Sequence, residues 1–266
     1  MTKIGIAGFG TIGKAVGKWV LAQPDLELVG VVGGDRAKVE QSLADLGADV
    51  PIMSADALAL QADIVVETAP TAAFRDIVVP ALTAGACVVT VSAAALIENM
   101  DVVDIARAHG GRIIMATGAL LGLDAVRAAA QGTIHSVTMV TRKPPKSLIG
   151  APEVVRQGVD LSALTEPLML FDGSAREGAR GFPANVNVAA SLALAGIGPD
   201  QTRLQIWADP ALERNTHRIL VDADSASFEL RIQNIPTIEK PGTGRITALS
   251  VIAAVEGLTS ALKVGS

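Results

Sequence analysis

Apolar residues run along this chain in two different rhythms. Up to Thr117 the apolar segments are short, continuous and rich in β-branched side chains: Lys3-Ile-Gly-Ile-Ala7, Leu26 to Val32, Ile64-Val65-Val66, Cys87 to Val91 and Arg112 to Met115. Continuous runs of this kind suit a parallel sheet covered on both faces, because neither face of such a strand meets water. Between them the apolar positions shift to helical spacing. Ile12, Val16, Trp19 and Val20 recur at i, i+4, i+7 and i+8, one stripe of a helix laid on a sheet. Asp35 to Leu46, Ala72 to Ala84 and Asp101 to His109 read as further helices. Strand and helix in alternation predict a doubly wound α/β unit.

After Gly118 the rhythm changes. Thr133 to Thr141, Thr202 to Ala208, Asn215 to Asp222 and Ser227 to Gln233 read as strands. In the third, Thr216, Arg218 and Leu220 face one side while His217, Ile219 and Val221 face the other. In the fourth, Phe228, Leu230 and Ile232 alternate with polar residues. Such alternation predicts a mixed or antiparallel sheet with one covered face. A helix is expected from Asn185 to Ala195, stopped by Gly196, and an apolar helical tail from Arg245 to Leu262. The expected division is a first domain over residues 1–118 and a second, α/β domain over 119–244. Helix 245–263 is expected to pack back on the first.

The junction of the first strand and first helix reads Gly8-Phe9-Gly10-Thr11-Ile12-Gly13, a G-x-G-x-x-G. The pattern alone is weak, but here it closes a strand and opens an amphipathic helix. A tight glycine turn lets main chain approach a pyrophosphate, and the helix N-terminus presents amide groups and a positive dipole end. Gly8, Gly10, Thr11, Ile12 and Gly13 are therefore candidate contacts to a dinucleotide, and the first domain is expected to be a Rossmann doubly wound parallel sheet. Asp35 follows the second strand where an acid would hold the adenosine ribose hydroxyls of NAD. Arg36 beside it would instead suit the 2′-phosphate of NADP. The plainer reading makes Asp35 the cap of the next helix.

Ala116 to Asp124 is a run of small residues at a strand's carboxyl end, where doubly wound folds bind ligands and where domain junctions also turn tightly. Asp124 there reads as a helix cap. Asn185 is a candidate cap as well, whereas Asn187 offers a donor and an acceptor to a carboxamide or polar substrate. Among the three histidines, His109 ends a helix and His135 has polar neighbours. His217 is either a satisfied core residue or an acid–base group.

Composition narrows the class. The net charge is −5, charged residues make up 18% and aromatic residues 3%. These values fit a soluble globular protein and disfavour a nucleic-acid partner. Cys87 is the single cysteine, so no internal disulfide forms. It reads as a buried structural thiol. No metal-ligand spacing appears. The first twenty residues form a strand–turn–helix pattern rather than a leader, and no apolar stretch is long enough to span a bilayer. A cytoplasmic protein with a small-molecule substrate is expected.

Several separate motifs in order resemble the L-aspartate dehydrogenase family across nearly the whole chain. They are Gly8 to Gly13, Val65-Val66-Glu67, Ser92 with Ala95-Leu96, Gly118-Ala119 with Gly122-Leu123-Asp124, Arg142-Lys143-Pro144-Pro145, Phe182-Pro183 to Asn187-Val188, Ala208-Asp209-Pro210 and Asn215-x-His217. The resemblance implies a Rossmann domain followed by an α/β domain with the active site and the contacts of a homodimer. It implies NAD or NADP, and reversible oxidative deamination of L-aspartate to oxaloacetate and ammonia by way of iminoaspartate. It implies that His217 is the catalytic histidine, and that Ala119 and Asn187 contact the cofactor on its nicotinamide side. Arg142, Lys143 and Lys146 are candidate cations for the substrate carboxylates, or solvated loop charges. The family's Asn-Pro-Lys-Thr-Ser run reads Lys240-Pro241-Gly242-Thr243-Gly244 here, and its usual serine before Gly118 is Thr117. The lost lysine keeps open a different amino-acid or imine oxidoreductase. A non-catalytic NAD(P)-binding sensor is the rival from another class.

Overall fold

The computed structural model describes residues 1–182, 186–240 and 242–265. They divide into two units, Met1–Ala116 with Thr247–Val264, and Thr117–Ile246 with the extreme C-terminus.

The first unit holds strands β1 (Thr2–Ala7), β2 (Leu26–Val32), β3 (Ile64–Glu67), β4 (Cys87–Thr90) and β5 (Arg112–Met115). They form one sheet in the order β2-β1-β3-β4-β5, with every neighbouring pair parallel. Helices α1 (Thr11–Leu21), α2 (Arg36–Asp45), α3 (Ala55–Ala59), α4 (Phe74–Thr83), α5 (Ala93–Glu98) and α6 (Val102–His109) fill the crossovers. Ile4, Ile6, Val66 and Val89 are fully buried, as the unbroken apolar runs require. The order reverses at β1, so the loops after β1 and β3 leave the sheet side by side at the switch point, where such folds take their ligands.

The second unit holds β6 (Ile134–Lys143), β7 (Leu168–Ser174), β8 (Arg203–Ala208), β9 (Thr216–Ala223) and β10 (Ser227–Gln233), in the order β10-β9-β6-β8-β7. The sheet is mixed: β8 runs parallel to β6 and the remaining neighbours are antiparallel. Val137 and Met139 of β6 and Ile219 and Val221 of β9 pack in one core with Val126 and Leu192. Those last two come from α7 (Leu123–Ala129) and α10 (Val186–Ala195); α8 (Pro152–Gln157) and α9 (Ala175–Gly181) complete the unit. The last helix, α11 (Arg245–Thr259), buries Val251 and Val255 in the core of the first sheet.

Strand ends differ from the hydrophobic pattern in one consistent way. β3 continues through Glu67, and β6 through Arg142 and Lys143. Main-chain pairing runs on where the apolar run stops, because a strand end can carry polar side chains into a site. β7, an edge strand, has no counterpart in the pattern: its register shifts between Met169 and Phe171, which breaks the alternation. The helix expected from Asn185 runs Val186–Ala195; Pro183, Ala184 and Asn185, with the capping role expected of Asn185, lie outside the described residues. The tail helix ends at Thr259 rather than Leu262. No described helix is long and apolar enough to cross a membrane.

Candidate active site

The glycine turn follows β1 directly, and its three glycines answer two different demands. Gly8 has φ +94°, and a Cβ there would lie 2.5 Å from Ala69 N. That neighbour belongs to the loop after β3, where the Thr68 hydroxyl donates to Gly8 O at 2.7 Å. A Cβ on Gly13 would lie 2.1 Å from Gly8 O. Both positions are glycine because main chain packs on main chain. Gly10 has no atom within 4 Å of its would-be Cβ, so nothing internal to the fold explains it. It is also the N-cap of α1, and no side chain caps that helix. Open space over an uncapped helix N-terminus is the cradle a pyrophosphate needs, so these residues fit a dinucleotide. Thr11 and Ile12 form the first turn of α1 and are half-buried.

Asp35 caps α2, accepting from Lys38 N at 3.2 Å. The Lys38 hydrogen bond and ammonium hold its carboxyl below the usual carboxylate range. Arg36 is exposed and pairs with Glu40 at 2.8 Å. Glu67, at the end of β3, is fully buried. It accepts from Thr90 Oγ1 at 2.5 Å and Ala69 N at 2.9 Å, and Thr90 Oγ1 accepts from Ser92 N. Burial pushes its pKa up against these bonds. Glu67 thus fixes the loop that lies against Gly8.

The second unit gathers its chemistry at one end of β6 and β9. His217 is 3% exposed and stands opposite Thr141 in the antiparallel pair. Its Nδ1 lies 3.1 Å from Thr141 Oγ1. Burial first, and the charge of Lys143 second, push its pKa down to about 4. The imidazole is therefore neutral near pH 7. Lys143, two residues beyond Thr141 on the same face of β6, is itself buried, and desolvation lowers its pKa to about 8.

The reading of the Arg142–Lys146 run as solvated loop charges is corrected for two of its three members. Arg142 pairs with Asp209 at 3.2 Å and lies 4.7 Å from the centroid of the Trp207 ring. Lys143 belongs to a strand. Only Lys146 is exposed in the turn that follows. No apolar periodicity marks Lys143, and its alternation with Met139 and Thr141 was the one signal of an inward position.

Ala119 lies between β5 and α7, and its carbonyl accepts from Asn234 Nδ2 at 3.1 Å. Asn187 is exposed in the first turn of α10, where its carbonyl accepts from Ser191 Oγ at 2.8 Å. Asp124 does not cap α7; Gly122 holds that position. Gly242 is exposed, with open space around it. His109 and His135 are exposed. Cys87 is half-buried rather than fully buried, and burial raises its thiol pKa. No cluster among the described residues could hold a metal ion.

The switch-point glycine cradle of the first unit is that of a dinucleotide-dependent oxidoreductase, and the second unit by itself carries a buried, neutral imidazole. Residues 8–116 match the family described as homoserine dehydrogenase, NAD binding domain, and residues 124–258 match aspartate dehydrogenase, C-terminal. The chain belongs to the L-aspartate dehydrogenase family. An L-aspartate dehydrogenase of Bradyrhizobium diazoefficiens is 52% identical over 264 residues, covering 99% of this chain and 94% of that protein. L-aspartate dehydrogenase 3 of Bordetella bronchiseptica is 48% identical, over 99% and 97%. The L-aspartate dehydrogenase of Methanosarcina acetivorans is 36% identical over the full length of both. The crystal structure of aspartate dehydrogenase from Thermotoga maritima shares the fold with TM-score 0.78 at 22% identity, covering both chains fully.

Proposed function

We propose that this chain is an NAD(P)-dependent L-aspartate dehydrogenase. It interconverts L-aspartate, water and the oxidised dinucleotide with oxaloacetate, ammonium, the reduced dinucleotide and a proton, by way of iminoaspartate. The observation that carries the reading is His217, a neutral imidazole buried on a strand end and oriented by Thr141, in a chain whose full-length relatives bear that name. NAD(P), when bound, supplies the hydride acceptor. Gly8, Gly10, Thr11, Ile12 and Gly13 would hold its pyrophosphate and Asp35 or Arg36 its adenosine ribose. Ala119 and Asn187 would meet its nicotinamide side.

His217 carries the proton chemistry. The useful tautomer has its hydrogen on Nδ1, donated to Thr141 Oγ1, and leaves the Nε2 lone pair for substrate. Nε2 takes a proton from the water that adds to iminoaspartate, and gives it to the nitrogen that departs as ammonia. Burial helps the second half, because a desolvated imidazolium is a strong acid. We also read the protein as a cytoplasmic homodimer. Support comes from the single cysteine, and from the dimer contacts that the resemblance assigns to the second unit.

The test is His217→Ala, assayed with oxaloacetate, ammonium and NAD(P)H. The expected loss in kcat is about 10²- to 10⁴-fold, with NAD(P)H affinity intact by fluorescence titration. A variant that keeps wild-type kcat overturns the role of His217. Binding of NAD(P)H by the wild type without turnover of any amino or keto acid favours the sensor instead.

A further inference from the structure

Lys143 has no use inside the fold. It is 8% exposed, on the core-facing side of β6 with Met139 and Thr141. No carboxylate among the described residues lies within 4.0 Å of its ammonium; the ion pairs nearby belong to others. Asp209, whose amide donates to Lys143 O at 2.8 Å, is adjacent. Its carboxylate is already taken by Arg142 at 3.2 Å and by Ala211 N at 3.1 Å. Arg142, one residue away on the opposite face, is paired and stacked on Trp207. Of the three cations in this stretch, one is satisfied by protein, one is solvated, and Lys143 is neither.

A buried cation without a counter-ion costs folding free energy, and the cost is recovered when an anion binds. Lys143 is two residues beyond Thr141, the residue paired with His217, on the same buried face of β6, and its charge is felt at His217. We propose that Lys143 is the anchor for a carboxylate of the substrate, holding it beside His217 Nε2. This rests on the dehydrogenase reading, in which the substrate is a dicarboxylate. The anchor fixes where the reacting carbon lies relative to the imidazole, and it distinguishes Lys143 from Arg142 and Lys146 as the recognition cation. Desolvation, which brings the ammonium's pKa to about 8, adds a signature. The charged groups that face it are His217 from β9 and Asp209 after β8, with Arg142 on its own strand. With His217 at about 4, the loss of carboxylate affinity above pH 8 belongs to Lys143.

The experiment uses the full chain and succinate, a dicarboxylate with no reacting group. Succinate is measured by calorimetry with NAD(P)H present, and as a competitor of oxaloacetate. In Lys143→Met the succinate constant and the oxaloacetate KM are expected to rise about 30-fold or more, with NAD(P)H affinity unchanged. Lys143→Arg is expected to recover part of the loss. In the wild type, succinate affinity is expected to fall about tenfold per pH unit above 8, and in Lys143→Met to be flat and weak. Unchanged succinate and oxaloacetate constants in Lys143→Met overturn the anchor. A fall in kcat alone also overturns it, since that would make Lys143 a proton carrier. Should Lys143→Met fail to fold, the wild-type pH profile and the arginine variant decide: a flat profile overturns the anchor. Failure of the dehydrogenase reading looks different: succinate would bind through Lys143 while no aspartate or oxaloacetate turns over.

Discussion

Acidification should destabilise the second unit through His217. The imidazole titrates at about 4 in the folded protein against 6.5 in the open chain. In the window between those values the unfolded state binds the extra proton, so stability falls as pH falls through it. Two and a half units correspond to about 3 kcal/mol once both states are protonated, of which about 2 kcal/mol is lost by pH 5. Other groups titrate too, so the measurement is a difference. His217→Gln keeps a neutral, hydrogen-bonding side chain opposite Thr141 and cannot titrate. Urea unfolding followed by Trp207 fluorescence, on a Trp19→Phe background, reads the second unit, because Trp207 lies on β8. Between pH 7 and pH 5 the histidine form should lose about 2 kcal/mol more than the glutamine form. Parallel stability curves for the two would refute the account of a desolvated, neutral imidazole, and with it the strong acid that protonates the departing nitrogen.

Two further outcomes follow from the first unit. Gly10→Ala should leave the melting temperature unchanged, since its Cβ meets nothing, yet raise the NAD(P)H dissociation constant sharply. Gly13→Ala should instead destabilise the protein by about 1–3 kcal/mol, through contact with Gly8 O. Equal effects on stability in a thermal melt would undo the division of labour among the glycines. Asp35→Ser keeps a side chain able to cap α2 but removes the carboxylate. Initial rates with the two dinucleotides should move in favour of NADP, and an unchanged ratio would leave Asp35 as a cap alone.

Much of the fold was legible because its strands are buried on both faces. Ile64 to Val66 or Ile113 to Met115 can be little else when three consecutive apolar residues meet helical segments on either side. The glycine turn was legible for a related reason, since only a main-chain contact or a ligand demands glycine at that spacing. The second unit was harder. β7 is an edge strand with a shifted register, and its Phe171-Asp172-Gly173-Ser174 end carries no period-two signal. The site was harder still, because its chemistry sits where the hydrophobic pattern stops. Glu67 and Lys143 lie just past their apolar runs, on strands that keep pairing. From sequence, a lysine there reads as the start of a loop; its pairing with Ala208 of β8 keeps it in the strand, on the buried face that carries Thr141. The function came from motif order rather than from periodicity, and the family relationship agrees with it.

The return of α11 to the first sheet has a consequence for how the chain is made. Residues 117–246 are an insertion between two parts of one core. Val251 and Val255 are needed to close that core, so a ribosome releases the inserted unit whole before the sheet that precedes it can be sealed. The unit made first in sequence finishes last, and a message truncated before α11 yields a second unit ready to fold beside an unfinished cofactor domain.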